Sequence, residues 1–205
     1  MILKVHELNP QKRHVQRIAE IINDGGLIVY PTDTTYSFGL DIFSKKAIET
    51  VMAIKKLPGD KLLSLACSDL RHVSQYAHLT NTGYKVMKHA LPGPYTFILH
   101  ATKLVPRLMM TKRKTIGIRV PDNIIARAII EEVGHPIITT SVKLPDEEVM
   151  TEPYEIEERL GHIVEAVVDA GIIIPSFSTI VDLSSDVPQI LREGKGEVNF
   201  LEELE

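Results

Sequence analysis

Short apolar runs that alternate irregularly with fewer helical stretches constrain this chain more than any other feature. Strand-like runs occupy residues 27–30, 38–42, 62–66, 95–101, 116–120, 136–141, 163–168, 179–183 and 189–192. Helical spacing is confined to the stretch between Pro10 and Gly25, to 44–54, to two short pieces within 69–90, to the residues after Asn123, and to 153–160. A regular doubly wound fold would show one helix for each strand. An excess of strands in irregular order instead predicts an α/β protein with a twisted mixed sheet and flanking helices. No fixed-period repeat and no low-complexity linker divides the chain, so residues 1–205 are expected to form a single domain with an ample core.

Local signals support these assignments. Asn9-Pro10 reads as a cap followed by Pro at the first helical position. Val15, Ile18, Ala19 and Ile22 then recur at helical spacing until Gly25-Gly26. Ser44 and Asn123 are capping residues for two further helices. Within 95–101, Tyr95, Phe97 and Leu99 fall on one face of a strand.

Composition excludes several classes. Apolar residues make up 44% and charged residues 24%, as in ordinary globular proteins. No stretch approaches the roughly 18 apolar residues of a membrane span, and the first residues lack a secretory pattern, so a cytoplasmic protein is expected. A lone Cys67 fits a reducing compartment and is expected to be packing, not a nucleophile. The net charge of -4 conceals a basic segment, Lys103 to Arg119, that holds six cations and no acid, and an acidic one, 146–165, with eight acids and one Arg. Such asymmetry suits a protein that meets a polyanion on one side, and equally a solvated basic loop.

Chemistry-bearing residues gather where strands end. The apolar run at 27–29 leads into Tyr30-Pro31-Thr32-Asp33-Thr34-Thr35-Tyr36, three threonine hydroxyls and a carboxylate between two tyrosines. This is either a ligand loop at a strand end or a turn bonded to its own backbone. Three other runs end alike, at Arg119, at Thr139-Thr140-Ser141 and beside Ser178-Thr179. Guanidinium forks and neutral hydroxyl donors converging in one place suit a carboxylate or phosphate. Motifs for a phosphate-binding P-loop, a dinucleotide fold or a serine-hydrolase elbow are absent, and the eight scattered histidines show no metal-ligand spacing, so no protein-held metal is expected.

In order along the chain stand Pro31-Thr32-Asp33-Thr34-Thr35-Tyr36, Ile54-Lys55-Lys56 with Lys61, Leu91-Pro92-Gly93-Pro94-Tyr95-Thr96, Ile116 to Asp122, Ser141, Ser178-Thr179-Ile180-Val181-Asp182 and Ile190 to Gly196. Together they resemble the YrdC/YciO family, and its YciO branch in particular. The best-known members join threonine, bicarbonate and ATP into threonylcarbamoyl-AMP for tRNA modification, releasing pyrophosphate. The resemblance implies a YrdC-like twisted sheet with a concave, positively charged face that binds nucleotide and double-stranded RNA or tRNA. It implies Lys55, Lys61 and Ser141 as catalytic groups, and Lys55, Lys61, Ser141 and Arg192 as the nucleotide site. Thr34, Arg119 and Ser178 would hold a threonine-like substrate, Arg119 through its carboxylate. ATP enters as substrate or ligand, with Mg2+ accompanying it. Lys112, Arg113 and Lys114 are the RNA-contact candidates of the basic segment.

The chain also departs from the synthase pattern. Lys-x-Arg becomes Lys55-Lys56-Leu57, Ser-x-Asn becomes Ser141-Val142-Lys143, Ser37 replaces a Gly, and Ala66 stands where some synthases place a His. Losing one preorganised charge at a phosphoryl centre costs about 10²–10³ in rate. Two readings therefore stand open: a nucleotide- and RNA-binding relative with little turnover, and an active threonylcarbamoyl-AMP synthase with substituted catalytic groups. The chain stops soon after Gly196, short of the second domain of longer members, so a separate transferase partner would have to carry any product to tRNA.

Overall fold

A computed structural model describes residues 1–56 and 63–204. Among the described residues eleven strands form one mixed sheet. They are β1 (Ile2–Lys4), β2 (Leu27–Pro31), β3 (Tyr36–Asp41), β4 (Ser64–Ala66), β5 (Ala77–His78), β6 (Tyr95–Ala101), β7 (Thr115–Arg119), β8 (Ile137–Ser141), β9 (Ala166–Asp169), β10 (Thr179–Asp182) and β11 (Gln189–Arg192). The helices are α1 (Lys12–Asn23), α2 (Lys45–Ile54), α3 (Leu70–Tyr76), α4 (Asn81–Ala90), α5 (Ile124–Val133) and α6 (Pro153–Leu160), with 3₁₀ turns at Arg107–Met109 and Asn199–Leu204. The sheet runs β1-β9-β2-β3-β8-β4-β7-β6-β10-β11, with β5 paired on β6. Parallel pairs (β1/β9, β2/β9, β4/β7, β6/β10) mix with antiparallel ones (β2/β3, β3/β8, β4/β8, β6/β7, β10/β11), as the irregular element order predicts.

The period-2 alternation gives the two sheet faces different roles. One face carries Tyr36, Phe38 and Leu40 of β3 with Phe97, Leu99, Ile116, Ile118 and Val181, packed with apolar residues of α2, α3, α4 and α6 into the larger core. Among the described residues the other face is covered only in part. There α1 and α5 lay Ile18, Ile22, Ile125 and Ile129 on Ile28, Tyr30, Ala66 and Ile137 in a smaller core. Beyond that cover the same face turns polar. Cross-strand register aligns Thr139, Ser64, Gly117 and Ile98 in one row over β8, β4, β7 and β6. A Cβ at Gly117 would stand 2.7 Å from Ser64 Oγ and 3.2 Å from Thr96 Cγ2, so the missing side chain leaves a depression in the sheet.

Capping follows the sequence at Ser44 and Asn123, whose side chains accept the Ala47 and Ala126 amides. At Asn9 it does not. His6 Nδ1 accepts the amides of Leu8 and Asn9, and the Gln11 side chain accepts that of His6, closing a separate turn. Helix α1 thus starts at Lys12 with Gln11 at the cap position. The run expected at 163–168 forms strand only from Ala166, because Ile163 and Val164 donate back to the Leu160 carbonyl and close α6. The strand expected at 62–66 is described for Ser64–Ala66, and residues 57–62 lie outside the described ones. Cys67 is fully buried, and burial pushes its thiol up, away from the reactive thiolate form. Among the described residues no helix is long and apolar enough to cross a membrane.

Candidate functional site

The polar half of the open face forms a cavity of about 270 Å³, lined by residues of six strands and two loops, Thr34, Arg119, Ser141, Ser178 and Arg192 among them. It brings five of the expected site residues together from positions 158 apart in sequence (192 − 34). Lys55 does not line it but stands directly behind. Its Nζ donates to the carbonyls of Ser141 at 2.6 Å and Lys143 at 3.4 Å. Lys61 and Leu57 lie outside the described residues.

The turn between β2 and β3 contains both roles its sequence suggested, divided among its hydroxyls. Thr32 Oγ1 accepts the amides of Thr34 and Thr35 and donates to the Thr35 carbonyl at 2.7 Å, stapling the turn. Thr34 and Thr35 face the cavity. Tyr36 sits on the opposite face, where its hydroxyl donates to the Gly171 carbonyl and accepts the Ala170 amide. Burial pushes the Tyr30 phenol up to about 12, and it donates to Thr139 at 2.9 Å from beneath the cavity. These two tyrosines shape the site without entering it.

Arg119 leaves the end of β7 with its side chain 11% exposed. Its Nη2 donates to Asp33 Oδ1 at 2.9 Å and to Thr34 Oγ1 at 3.0 Å, while Asp33 Oδ2 accepts the Asp122 amide. Its Nε is buried without a partner among the described residues, as are Ser176 Oγ in the cavity wall and Ser37 Oγ. Ser37 pairs in register with Ser141. Buried polar atoms are almost always bonded, and of these residues Arg119 and Ser176 line the cavity, so their orphaned atoms leave capacity for a polar ligand there. Across the cavity, Arg192 Nη2 and Nε donate to the Ser178 carbonyl at 2.8 and 3.1 Å, and Ser178 Oγ lies 2.8 Å from Thr96 Oγ1. Burial first, and the charge of Arg119 second, push the Arg192 guanidinium down, so the two cations feel each other across the space.

The electrostatics are one-sided. Arg192, Lys55 and Lys195 contact only neutral oxygens among the described residues, Lys195 donating to the Asp33 carbonyl at 2.8 Å. Asp33, with a side chain 6% exposed, is the acid paired there. Sequence reasoning did not single out Asp33, Ser176, Phe177 or Lys195 as site residues. Asp33 lies within the Pro31–Tyr36 motif and Lys195 within Ile190–Gly196, whereas Ser176-Phe177 carries no local signal and gains a role only from the fold. Lys112, Arg113 and Lys114 are exposed in the turn before β7, five or more residues and roughly 16 Å along the strand from Arg119. That turn is stapled by Thr111, whose Oγ1 accepts the Thr115 amide at 3.1 Å. Among the described residues no group of three or more His, Cys, Asp or Glu could hold a metal ion.

The family model for Sua5, YciO and YrdC, described as telomere recombination, matches residues 20–194. The chain belongs to this family. Within it, an uncharacterized Haemophilus influenzae protein is 47% identical over 94% of both chains. The crystal structure of Escherichia coli YciO superposes with a TM-score of 0.92 at 41% identity, covering 97% of this chain and 98% of that one. Pyrococcus abyssi Sua5 complexed with L-threonine gives a TM-score of 0.91 at 25% identity, covering all of this chain and 60% of the Sua5 chain. A putative threonylcarbamoyl-AMP synthase of Methanocaldococcus jannaschii is 31% identical over 94% of this chain and 92% of its own length. This member of the Sua5/YciO/YrdC family is therefore related to the threonylcarbamoyl-AMP synthases and is similar to YciO over nearly its whole length.

Proposed function

We propose that this protein binds an adenine nucleotide together with a threonine-like amino acid in the cavity, and an RNA backbone on the basic turn, with weak turnover. One observation carries the cavity reading. Hydroxyls, two mutually repelling guanidiniums and orphaned buried donors surround a space that no acid lines among the described residues, which is the chemistry of a site for anions. The solved Sua5 relative holding L-threonine supports an amino acid as one of them. Arg119, with Nε unpartnered, suits its carboxylate, and Arg192 suits a phosphate. Small-ligand sites span about 300–1,000 Å³, so a cavity of about 270 Å³ suits the amino acid and adjoining phosphate with the base outside. Asp33 is already bonded to Arg119 and Asp122, so a Mg2+ would come with the triphosphate instead of being held by a free carboxylate here. The test is calorimetric titration with ATP and L-threonine; absence of binding by either would reject the reading.

Lys55 gives this reading a pH dependence. Burial first, and the neighbouring Lys143 charge second, lower its amine from the usual 10.5 to about 8. Because the folded pKa lies below the unfolded one, the charged amine costs stability below about pH 8, and that cost fades as pH rises toward 10.5. An anionic nucleotide has the opposite preference and favours the protonated amine. ATP affinity is therefore expected to fall about tenfold between pH 7 and pH 9. Lys55→Gln should flatten the profile, and an unchanged profile in that variant would remove Lys55 from the site.

The RNA part rests on three exposed cations presented by a stapled turn. Each phosphate contact contributes about 0.9 to the slope of log affinity against log salt on a duplex. Replacing Lys112, Arg113 and Lys114 by Ala is expected to weaken duplex RNA binding and lower that slope by up to about 3, with ATP and threonine affinities unchanged. Gel-shift titrations between low and moderate salt measure it, and an unaltered slope would exclude this turn.

The synthase reading is favoured by a different observation, the gathering of Thr34, Arg119, Ser178 and Arg192 around one space. ATP-dependent pyrophosphate release with threonine and bicarbonate separates it from pure binding.

A further inference from the structure

Residues 171–177 form a strap without helix or strand, and its end, Ser176 and Phe177, lines the cavity. The strap is tied down along its length: Ile173 donates to the Thr151 carbonyl at 3.1 Å and Ser176 to the Thr34 carbonyl at 3.0 Å, and the Phe177 carbonyl accepts the Lys195 amide at 2.8 Å. Gly194 makes the last contact possible, since a Cβ there would stand 2.3 Å from the Phe177 oxygen. The backbone at Phe177 is thereby fixed before any ligand arrives.

The side chain it presents is unexpected. Phe177 is 58% exposed, yet it lines a cavity otherwise built of hydroxyls, guanidiniums and two isoleucines. It is the one aromatic lining residue among those described. The strap's other exposed apolar residues, Ile172 and Ile174, do not line the cavity. The Phe177 ring lies beneath the Arg192 guanidinium, whose carbon is 5.3 Å from the ring centroid. Arg192 is in turn anchored on Ser178, so ring and cation hold a fixed relation. An exposed ring at the rim, next to the cation suited to a phosphate, offers a flat π surface to a planar group that the cavity is too small to enclose. Nucleobases stack on such platforms without regard to sequence.

Resting on the nucleotide reading above, we infer that Phe177 is the stacking platform for the nucleobase, with Arg192 binding the phosphate beside it. Phe177 thus selects nucleotides over bare polyphosphates.

The chain contains no Trp, so Phe177→Trp installs a single reporter at the platform. ATP should quench its fluorescence and tripolyphosphate, which lacks a base, should not. Phe177→Ala and Phe177→Leu, the second keeping apolar bulk without a π face, should each weaken ATP about 10- to 100-fold. Tripolyphosphate and L-threonine affinities should stay at wild-type values in both. If wild type binds ATP and both variants bind it equally well, stacking on Phe177 is overturned while nucleotide binding stands. If wild type binds neither ATP nor tripolyphosphate, the nucleotide reading and this inference fall together.

Discussion

Arg119→Ala is expected to abolish measurable L-threonine binding and to lower stability by about 3–5 kcal/mol. The two losses have separate causes. For binding, the substitution removes a cavity-lining guanidinium whose Nε has no partner among the described residues, and truncating one member of a charge-paired contact costs about 2–5 kcal/mol. For stability, Asp33 keeps a side chain 6% exposed and loses the partner at 2.9 Å, leaving the Asp122 amide as its remaining donor. Removing one member of a buried pair strands the other charge, and the penalty belongs to the stranded carboxylate. The control follows from that argument. Arg119→Met combined with Asp33→Asn removes both charges at similar volume and should recover most of the stability while threonine binding stays absent. Denaturant unfolding and calorimetry on the single and double variants read the two effects independently. Wild-type threonine affinity in Arg119→Ala would exclude Arg119 as the carboxylate site.

How far the sequence carried this picture depends on the range of the interactions involved. Helix α6 was legible to the residue, because Pro153 at the first turn and the periodic Ile156 and Leu160 are local signals. The start of α1 was not, because the cap at Asn9 competes with a ring nitrogen three residues earlier, and single-residue propensity does not rank such rivals. Strands β1 and β5 escaped notice for another reason. Three residues and two residues carry no periodicity, and each exists through a partner elsewhere in the chain, Val167 for Ile2 and His100 for His78. The site shows the same division. Hydroxyl and Arg positions at strand ends were readable because residue type and strand polarity together suggest a common rim. Phe177 was not, since an aromatic residue in an irregular segment acquires meaning only once Arg192 lies against it. The Asp33–Arg119 pair, 86 residues apart, likewise required the register of β2, β3, β8, β4 and β7 before it could be seen.

Leu57→Arg combined with Lys143→Asn should raise ATP-dependent pyrophosphate release, with threonine and bicarbonate present, by about 10²–10³. Both changes install the residues that the family resemblance implies for a synthase at these positions, where this chain has Leu57 and Lys143. A carbamate meeting a triphosphate concentrates negative charge, and one preorganised cation at such a centre is worth about 3–4 kcal/mol, which an Arg at position 57 would supply if the resemblance extends to that residue. At Lys143 the reason is geometric. That residue's carbonyl lies 3.4 Å from Lys55 Nζ, and its charge helps hold the Lys55 amine near 8, so at neutral pH part of the Lys55 population is uncharged. Asn in that place removes the smaller of the two causes, burial being the larger, and so raises the Lys55 amine in part toward its usual range. Lys143→Asn alone should therefore shift the pH profile of ATP binding upward with little gain in turnover, because a Lys cannot supply the bidentate grip of the missing Arg. Rapid turnover by the wild type would show that neither substitution restrains the chemistry and would favour the active-synthase reading. A double variant that binds ATP and threonine at wild-type strength yet releases no pyrophosphate would place the block outside these two positions, and binding itself would then be the activity this cavity serves.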